Sequence, residues 1–600
     1  MKNYLIVLCL AICFNAAVTA QRPEPLKEEL RSHGPVSIFP ENAQKEYVFN
    51  NKNPGVPPAT FEATTRINSL PVFIAENFVP SKSNADIQAS WKSTAAVKKG
   101  DVLLARFAMR AVYAKQESGD AVVYFFVQQS VAPRERILWM EISIGPEWKT
   151  FDIPFVALFD MEAGEAAIGF TFGALAQKVE IAEVTVLNFQ QKITVQQLPA
   201  ARLTYAGRDK DAAWRKEALQ RIEAIRTAPL AIEVKDHTGK PVKGAVVKAR
   251  LINPVFVFGT AVSVNRINDT GRDAVQYRTK LKELFNAVTI DNNLKWGPWI
   301  DVEKREATKV AIKWIVDNGF ALRGHNLVWP GKKFTPSFYA KQPGFGPGFA
   351  DSINKHIEEI VAYTKGKVYG WDVVNEMMHE KDYFEVIPRT QAAEWFKLAR
   401  RIDPNTTLFI NEYSMLNNVA SPQNIQTYLN LVTELRGYGA PIDAIGVQGH
   451  VGRQPRNPAQ VITDLDMFTS TGLPVQITEF DINSPDEALQ ADYTRDFLIA
   501  CYSHPNVNGF TMWGFWESAH WKPDAAMFKK DWTAKPNLAA WKELVLNRWR
   551  TNISETSKAN GKVTARGHLG LYEITVSKGG AEVKMNYQLT KNSMPAVVQL

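Results

Sequence analysis

Cysteine is scarce in this chain of 600 residues, which has only three. Cys9 and Cys13 lie near the N-terminus, and Cys501 is alone in the rest of the sequence. If the N-terminal segment is a leader that is removed, no pair remains for an intrachain disulfide. The sequence therefore excludes a disulfide-stapled secreted scaffold.

Long apolar runs and concentrated positive charge are also missing. After the N-terminal segment, no run reaches the roughly 18 apolar residues that span a bilayer. Lys and Arg outnumber Asp and Glu by 70 to 62, but no basic run concentrates the net charge of +8. A nucleic-acid groove needs a basic patch or stripe. We therefore expect no membrane span and no nucleic-acid partner.

The first 20 residues have the pattern of an export signal. Lys2 precedes a short apolar stretch from Tyr4 to Phe14, and the small residues at 18–20 precede Gln21. This pattern predicts a cleaved signal peptide at 1–20, although a buried N-terminal helix is an alternative. We expect a secreted protein, extracellular or periplasmic, that is a monomer and needs no metal or cofactor.

Tryptophan is abundant, with 16 residues, more than the core of one ordinary domain uses. Flat aromatic surfaces that hold sugars are one use for the surplus. At 21–200 the chain shows short alternating runs, such as 102–108 and 121–128, separated by turn residues. This pattern predicts an antiparallel β-sandwich, followed by a helical linker at 201–228.

From residue 255 apolar strands alternate with helical stretches. Eight such units in about 290 residues predict a (β/α)8 barrel, and near-continuous apolar strands are typical of a parallel sheet covered by helices. An open doubly wound sheet usually has a Gly-rich loop after its first strand, and Phe258-Gly259-Thr260 is not one. We assign 229–552 to this α/β domain, with an N-terminal β-hairpin, and 553–600 to a small β module. The predicted strands are 255–260, 287–290, 321–328, 368–374, 407–413, 444–448, 474–480 and 509–514.

Two glutamates end otherwise apolar strands, Glu376 on the fourth and Glu479 on the seventh. These strands lie on nearly opposite walls of an eight-stranded barrel, so their carboxyl groups can face each other across its mouth. Such a pair suits glycoside hydrolysis, in which one group protonates the leaving oxygen and the other attacks carbon or activates water. His450 and Asp481 could hold Glu479 oriented and ionised. The alternative is that each glutamate is a solvated residue at the barrel top.

Motifs from Phe285 to Trp541 resemble glycoside hydrolase family 10, the endo-β-1,4-xylanase family. The resemblance covers about 290 of the 600 residues, with seven motifs in the family's order. These are FNAVTIDNNLKW at 285–296, RGHNLVW at 323–329, WDVVNE at 371–376, NEY at 411–413, GVQGH at 446–450, ITEFD at 477–481, and Trp513-Gly514 with Trp521 eight residues later.

The resemblance implies a role for each matching position. Glu376 would be the general acid/base and Glu479 the nucleophile of a reaction that retains anomeric configuration. Asn375 would touch the 2-hydroxyl of the reacting sugar, His450 and Asp481 would support Glu479, and Gln448 would line the same centre. The sugar-binding residues implied are Asp291, Asn292, Lys295, His325 and Trp329 on the glycone side, with Trp513 and Trp521 as stacking walls.

The sequence departs from the family pattern at a few positions near these motifs. Asp291 stands where the family usually has Glu, Pro330 where a His is common, and Ser414 where Asn is usual. Trp516 and Glu517 alter the loop after the eighth strand. These changes leave the two glutamates intact and put the substrate preference in doubt.

The sandwich resembles carbohydrate-binding modules found beside such enzymes, through Trp148-Lys149-Thr150-Phe151 and a strand at 179–187. The candidate stacking aromatics are Trp91, Tyr124, Trp139 and Trp148, which the sequence cannot sort into surface and core. A spacer or docking role is the alternative.

The leading hypothesis is a secreted retaining endo-xylanase acting on xylan. A hydrolase of another β-1,4-glycan or of short oligosaccharides would use the same mechanism. A third hypothesis is a glycan-binding protein whose barrel has lost catalytic activity. The presence of both glutamates disfavours it.

Overall fold

A computed structural model describes residues 25–600 of the chain, apart from 54, 56, 66–70 and 202. The proposed signal peptide lies outside the described residues, so export stays a prediction. The chain forms two compact units. The first contains the residues up to Lys115 and Ala121–Arg202, and the second contains Gln116–Asp120 and Leu203–Leu600.

The first unit is an antiparallel β-sandwich. Its strands alternate, so that Val123 and Phe125 enter the shared core while Tyr124 points to the opposite face. The unit also has a short helix, Glu28–Ser32. One sheet contains Val36–Ser37, Thr60–Thr65, Pro71–Asn77, Val102–Ala114, Lys149–Val156 and Gln177–Asn188, and the other contains Val48–Asn51, Ile87–Lys92, Ala121–Gln129, Arg136–Ile144 and Ala166–Thr171.

The second unit is built around a closed barrel of eight parallel strands, which confirms the predicted (β/α)8 fold. Neighbours in sequence pair in order, and the eighth strand pairs with the first to close the ring. The strands are buried on both sides, which explains why they are nearly all apolar. They are β1 (Val257–Val262), β2 (Ala287–Ile290), β3 (Ala321–Gly324), β4 (Val368–Asn375), β5 (Thr407–Glu412), β6 (Ala444–Val447), β7 (Val475–Ile482) and β8 (Val507–Met512).

Helices cover the outside of the barrel with their apolar faces. Gln391–Ile402, for example, buries Trp395 and Phe396 against the core cluster. The α-helices of this unit are Ala213–Arg226, Val264–Asn268, Arg272–Leu284, Trp296–Ile300, Val302–Asp317, Ser337–Ala340, Phe349–Thr364, Gln391–Ile402, Pro422–Gly437, Pro458–Met467, Glu487–Tyr502 and Pro536–Trp541.

The third barrel strand is shorter than the sequence predicts, ending at Gly324 instead of residue 328. The register between β3 and β4 shifts after Leu322, and the chain then leaves the regular sheet. Leu327 and Val328 still donate backbone hydrogen bonds to Asp372 and Val373 of β4. The segment that carries His325 and Trp329 is therefore held beside β4 although it is not a regular strand.

Strands on both sides of the barrel in sequence combine into a second, smaller β-sandwich. Leu230 and Val247, from before the barrel, share one core with Tyr572 and Ile574, from after it. The pairing joins segments that the sequence analysis placed in two different domains. One sheet contains Thr227–Lys235, Lys562–His568 and Ala596–Gln599, and the other contains Val246–Pro254, Asn552–Thr556, Gly570–Lys578 and Ala581–Leu589.

The helix Ala213–Arg226, predicted as a linker, packs on the barrel through Ala218 and Ile222. Arg215 of this helix forms an ion pair with the buried Asp496 of Glu487–Tyr502, with 2.6 Å between the charged atoms. Over the described part of the chain, every helix is too short or too polar to cross a membrane.

Candidate active site

The C-terminal ends of the barrel strands surround a cavity of about 130 Å³. Eleven of the thirteen site residues predicted from the sequence line it. They are Asp291, Asn292, Lys295, His325, Trp329, Glu376, Gln448, His450, Glu479, Trp513 and Trp521. The other two, Asn375 and Asp481, hydrogen-bond to residues in or beside this wall.

Glu376 follows β4 directly and is buried, with a left-handed backbone conformation of φ 59°. Its Oε1 accepts a hydrogen bond from Gln448 Nε2 at 2.8 Å, and its Oε2 accepts one from Trp329 Nε1 at 2.9 Å. Burial raises the pKa of Glu376 to about 8, helped by the negative charges of Glu412 and Glu479 and opposed by the Gln448 hydrogen bond. This carboxyl group therefore holds its proton at neutral pH.

Glu479 lies in β7 and is surrounded by donors. Its Oε1 accepts a hydrogen bond from Asn411 Nδ2 at 2.7 Å, and its Oε2 lies 3.3 Å from His450 Nε2. His325 Nδ1 is 3.9 Å from Oε1. Glu479 thus has a more positive and better-donating environment than Glu376.

His450 bridges Glu479 and Asp481, since its Nδ1 is 3.0 Å from Asp481 Oδ1. Burial alone would lower the pKa of His450, but its two carboxylate partners outweigh burial and raise it to about 10. Burial opposes ionisation of Asp481, and the His450 charge still lowers its pKa. Trp521 Nε1 donates to the second oxygen of Asp481 at 2.6 Å. The imidazolium is therefore fixed and presents an N–H to Glu479.

Asn375, Asn411 and Gln448 are fully buried next to the cavity, and of these three Gln448 lines it. Asn411 Nδ2 donates to both Asn375 Oδ1 and Glu479 Oε1. Among the described residues, Asn375 Nδ2 and Gln448 Oε1 have no hydrogen-bond partner. Buried polar groups are normally paired, so a bound molecule with hydroxyl groups would complete this network.

Lys295 provides a cation on the β2 side of the cavity. Its Nζ donates to Asn292 Oδ1 at 3.0 Å and lies 4.9 Å from the centre of the Trp329 ring. Burial lowers the pKa of Lys295, and the charges of Glu479, Asp291 and Glu376 oppose this. Burial also raises the pKa of Asp291, opposed by Lys295. This side can therefore both donate hydrogen bonds to a ligand and accept them.

Aromatic rings form the walls. Trp513 packs edge-on to His325, with 5.2 Å between ring centres, and is only partly buried. Trp521 is 45% exposed although its indole nitrogen is held by Asp481. Trp329 is covered on one side by Phe334, with ring centres 3.3 Å apart. The rings at the rim present apolar faces of the kind that stack on sugars.

Sequence reasoning missed the charged layer beneath the cavity. Asp372 of β4 accepts from Arg323 of β3 at 2.5 Å and lies 2.9 Å from His325 Nδ1, and all three side chains are buried. Asn411 belongs to the NEY motif at 411–413, but the sequence analysis assigns it no role in the site. The signal for Arg323 and Asp372 was a charged residue inside an apolar strand, because buried charges need partners.

Of the departures from the family pattern, Asp291 lines the cavity, whereas Pro330, Ser414, Trp516 and Glu517 are not among its lining residues. Trp516 is buried and stacks on Trp532, with ring centres 4.5 Å apart, so it supports the loop after β8 from behind. Ser414 has a left-handed φ of 64° beyond Tyr413. The carbonyl of Pro330 accepts the Tyr383 amide hydrogen. Within the described ranges, no group of three or more His, Cys, Asp or Glu side chains is placed to hold a metal ion.

Residues 248–544 match the family model of Glycosyl hydrolase family 10. Among curated relatives, the chain is 32% identical over 391 residues to the anti-sigma-I factor RsgI6 of Acetivibrio thermocellus, covering 64% of this chain and 49% of that protein. It is 31% identical over 309 residues to endo-1,4-beta-xylanase 5-like of Arabidopsis thaliana, covering 50% and 53%. The chain thus spans about half the length of these relatives.

Solved structures include similar barrels. Xylanase 10B from Thermotoga petrophila RKU-1, in complex with xylobiose, is 24% identical with a TM-score of 0.44, covering 49% of this chain and 95% of that one. Native xylanase 10B from Thermotoga maritima is 25% identical with a TM-score of 0.44, covering 49% and 96%. The family match spans the barrel and every predicted site residue, and the barrel domain of this chain belongs to glycosyl hydrolase family 10.

Proposed function

We propose that this chain is an endo-β-1,4-xylanase that hydrolyses internal bonds of xylan with retention of configuration. The observation that carries the proposal is the pair of buried carboxyl groups, Glu376 and Glu479, which line one cavity and have different hydrogen-bond donors. Two carboxyl groups across one cavity, one of them with a raised pKa as in Glu376, are typical of the acid and nucleophile of glycosidases. The names of several relatives, including the Arabidopsis xylanase, support the choice of substrate.

In the first step, Glu479 attacks the anomeric carbon and Glu376 gives its proton to the leaving oxygen. The raised pKa of Glu376 keeps that proton available at neutral pH. His450 and Asn411 hold both oxygens of Glu479, which fixes the direction of attack. The products are a shortened chain with a new hydroxyl group and a glycosyl ester on Glu479.

In the second step, water replaces the departed sugar beside Glu376. Glu376, now ionised, takes a proton from this water, and the oxygen of the water attacks the anomeric carbon. The ester bond to Glu479 breaks, and Glu376 regains its proton. We assign to Asn375, whose amide nitrogen is unpaired among the described residues, the donation of a hydrogen bond to the 2-hydroxyl of the reacting sugar.

The proposal is tested by comparing initial rates of reducing-end release from glucuronoxylan, β-1,4-glucan and β-1,4-mannan. We expect xylan to be cleaved at least about 100-fold faster, because a site built around particular hydroxyl groups rejects sugars of another shape. Faster cleavage of glucan or mannan would assign the same mechanism to another polymer. If the protein binds these polymers but cleaves none of the three, the enzymatic function is contradicted.

We also propose that the first β-sandwich binds xylan through Trp139. Trp91 and Trp148 are buried, which removes them as stacking platforms. Trp139 is only partly buried, lies opposite the core, and has Tyr124 and Phe126 beside it with ring centres 5.5 and 5.8 Å away. Phe126 is buried beneath this surface, so the partly buried rings of Trp139 and Tyr124 are the ones that a sugar chain could contact, beside the Arg136 guanidinium that lies 4.0 Å from the centre of the Trp139 ring.

Trp139→Ala in the full chain should weaken retention on insoluble xylan by about 5- to 10-fold, corresponding to the loss of one aromatic contact. Hydrolysis of a soluble xylo-oligosaccharide should stay unchanged. Tyr113→Ala, which removes a partly exposed ring from the other sheet, is the matched control. Equal retention of all three proteins would leave the sandwich with a spacer role.

A further inference from the structure

Glu412 is a buried carboxylate beside the active site. It has no role in the reaction described above. It is the last residue of β5, its side chain is fully buried, and it does not line the cavity. A buried charge is costly unless it is hydrogen-bonded to several donors. The hydrogen-bond donors to the Glu412 side chain indicate its role.

Two of its three side-chain partners, Met378 and His379, lie in the turn that carries Glu376. Oε2 accepts from the backbone N–H of Met378 at 2.9 Å, and Oε1 lies 2.8 Å from His379 Nδ1. Oε1 also accepts the backbone N–H of Tyr413 at 3.0 Å. Glu412 therefore ties the end of β5 to the residues that follow Glu376.

This turn needs an external tie because Glu376 itself has a left-handed φ of 59°, which is strained for a residue with a side chain. Inside the turn, the N–H groups of His379 and Glu380 donate to the Glu376 carbonyl. The Glu376 N–H donates to the carbonyl of Asn411, the neighbour of Glu412. Without Glu412, the second anchor of this turn on β5 would be lost.

The backbone of Glu412 reaches Glu376 by a second route. Its carbonyl accepts the N–H of Gln448 at 2.9 Å, and the Gln448 side chain donates to Glu376 Oε1. His379 stacks on Tyr413, with ring centres 3.8 Å apart, and closes the outer side of the cluster. Glu412 is thus connected to Glu376 through the turn and through Gln448.

We propose that Glu412 is a positioning residue for Glu376, holding the turn that carries it and placing a fixed negative charge beside it. This inference rests on the proposed function, in which Glu376 is the proton donor. Of the neighbouring charges that raise the pKa of Glu376, Glu412 has the largest effect after burial. The charged or titratable groups that face Glu376 are Glu412, Glu479, Tyr413, Lys295 and Glu117 of the segment Gln116–Asp120.

The test compares wild type with Glu412→Gln over a range of pH, with two kinds of substrate. One is xylohexaose, whose leaving group needs a proton, and the other is a dinitrophenyl β-xylobioside, whose leaving group does not. We expect the kcat of Glu412→Gln on xylohexaose to fall by about 10- to 100-fold, within the range of general acid catalysis. The loss in kcat/KM on the dinitrophenyl substrate, which reports formation of the glycosyl ester, should be less than about threefold, because that step needs no proton from Glu376.

The alkaline limb of kcat/KM for xylohexaose should move to lower pH by about 0.5 to 1 unit in Glu412→Gln, because a like charge has been removed from beside the acid. Glu412→Asp keeps the charge but is one methylene shorter. We expect this variant to lose kcat on xylohexaose while its alkaline limb stays within about 0.2 pH unit of wild type. Together, the two variants distinguish the effect of the charge of Glu412 from the effect of its side-chain length.

Equal losses on both substrates, with an unmoved alkaline limb, would overturn the positioning role and leave Glu412 as a structural residue. If Glu412→Gln does not fold, Glu412→Asp supplies the same comparison, and equal losses there would also overturn it. Glu434→Gln, which removes a surface carboxylate paired with Arg389, is the matched control. A wild type that cleaves neither substrate would refute the proposed function instead, so the two failures are distinguishable.

Discussion

Glu479→Ala is expected to reduce kcat on xylan by about 10⁴-fold or more, the largest effect of any substitution considered. Loss of a nucleophile leaves only the residual catalysis that comes from binding and from the remaining groups. The side chain is buried and held by Asn411 and His450, so no neighbouring carboxylate has the same placement. Reducing-end release from glucuronoxylan, measured at the wild-type pH optimum, gives the comparison.

A small anion supplies the control for this variant. The cavity left by the carboxylate can admit azide, which would attack the anomeric carbon of a dinitrophenyl xylobioside from the same side and form a glycosyl azide of inverted configuration. Rescue by azide, together with an unchanged melting temperature, would assign the loss to chemistry. A Glu479→Ala variant within tenfold of wild type would exclude the nucleophile role.

Glu376→Ala is expected to reduce kcat on xylan by about 10³-fold, the upper part of the range for general acid–base catalysis. The effect on formation of the glycosyl ester from a dinitrophenyl xylobioside should be small, since that leaving group departs without a proton. Measuring the burst of dinitrophenolate and the steady rate separately would show the first step preserved and the second slowed. Equal damage to both steps would contradict the acid/base assignment.

The pH profile provides an independent check of the same residue. Glu376 acts in its protonated form, so kcat/KM on xylan should fall as pH rises through its pKa, which burial and nearby carboxylates raise to about 8. An alkaline limb far below pH 7 in wild type would mean that another group donates the proton.

Most of the barrel could be predicted because its strands are buried on both faces and must be apolar. β2 was predicted at its observed bounds, 287–290, and β5 within one residue. The end of β3 was predicted wrongly, since Leu327 and Val328 are apolar like strand residues but pair with β4 only through isolated backbone hydrogen bonds. Hydropathy reports burial, and burial does not distinguish a strand from an extended segment beside one.

The site was predictable to the extent that polar residues interrupt apolar strands at their C-terminal ends. Glu376, Gln448, His450 and Glu479 all follow that rule, and all line the cavity. The rule cannot say which of the two glutamates keeps its proton, because that depends on neighbours from other parts of the barrel, such as Glu412 and Trp329. It also cannot separate Trp139 from Trp91, since both lie in alternating strands and only the packing of the two sheets decides which face is buried.

The smaller β-sandwich has a consequence for how the chain is synthesised. Arg250 pairs with Asn552, so about 300 residues, including the whole barrel, lie between two adjacent strands. Closing a loop of that length costs on the order of 5 kcal/mol of chain entropy, which the folded barrel can offset by holding its own ends. Until residues 552–599 leave the ribosome, Thr227–Lys235 and Val246–Pro254 have no sheet to join, and their apolar faces stay unpaired. The barrel is therefore synthesised while these two strands are unpaired, and the risk of misassembly lasts until residues 552–599 have been made.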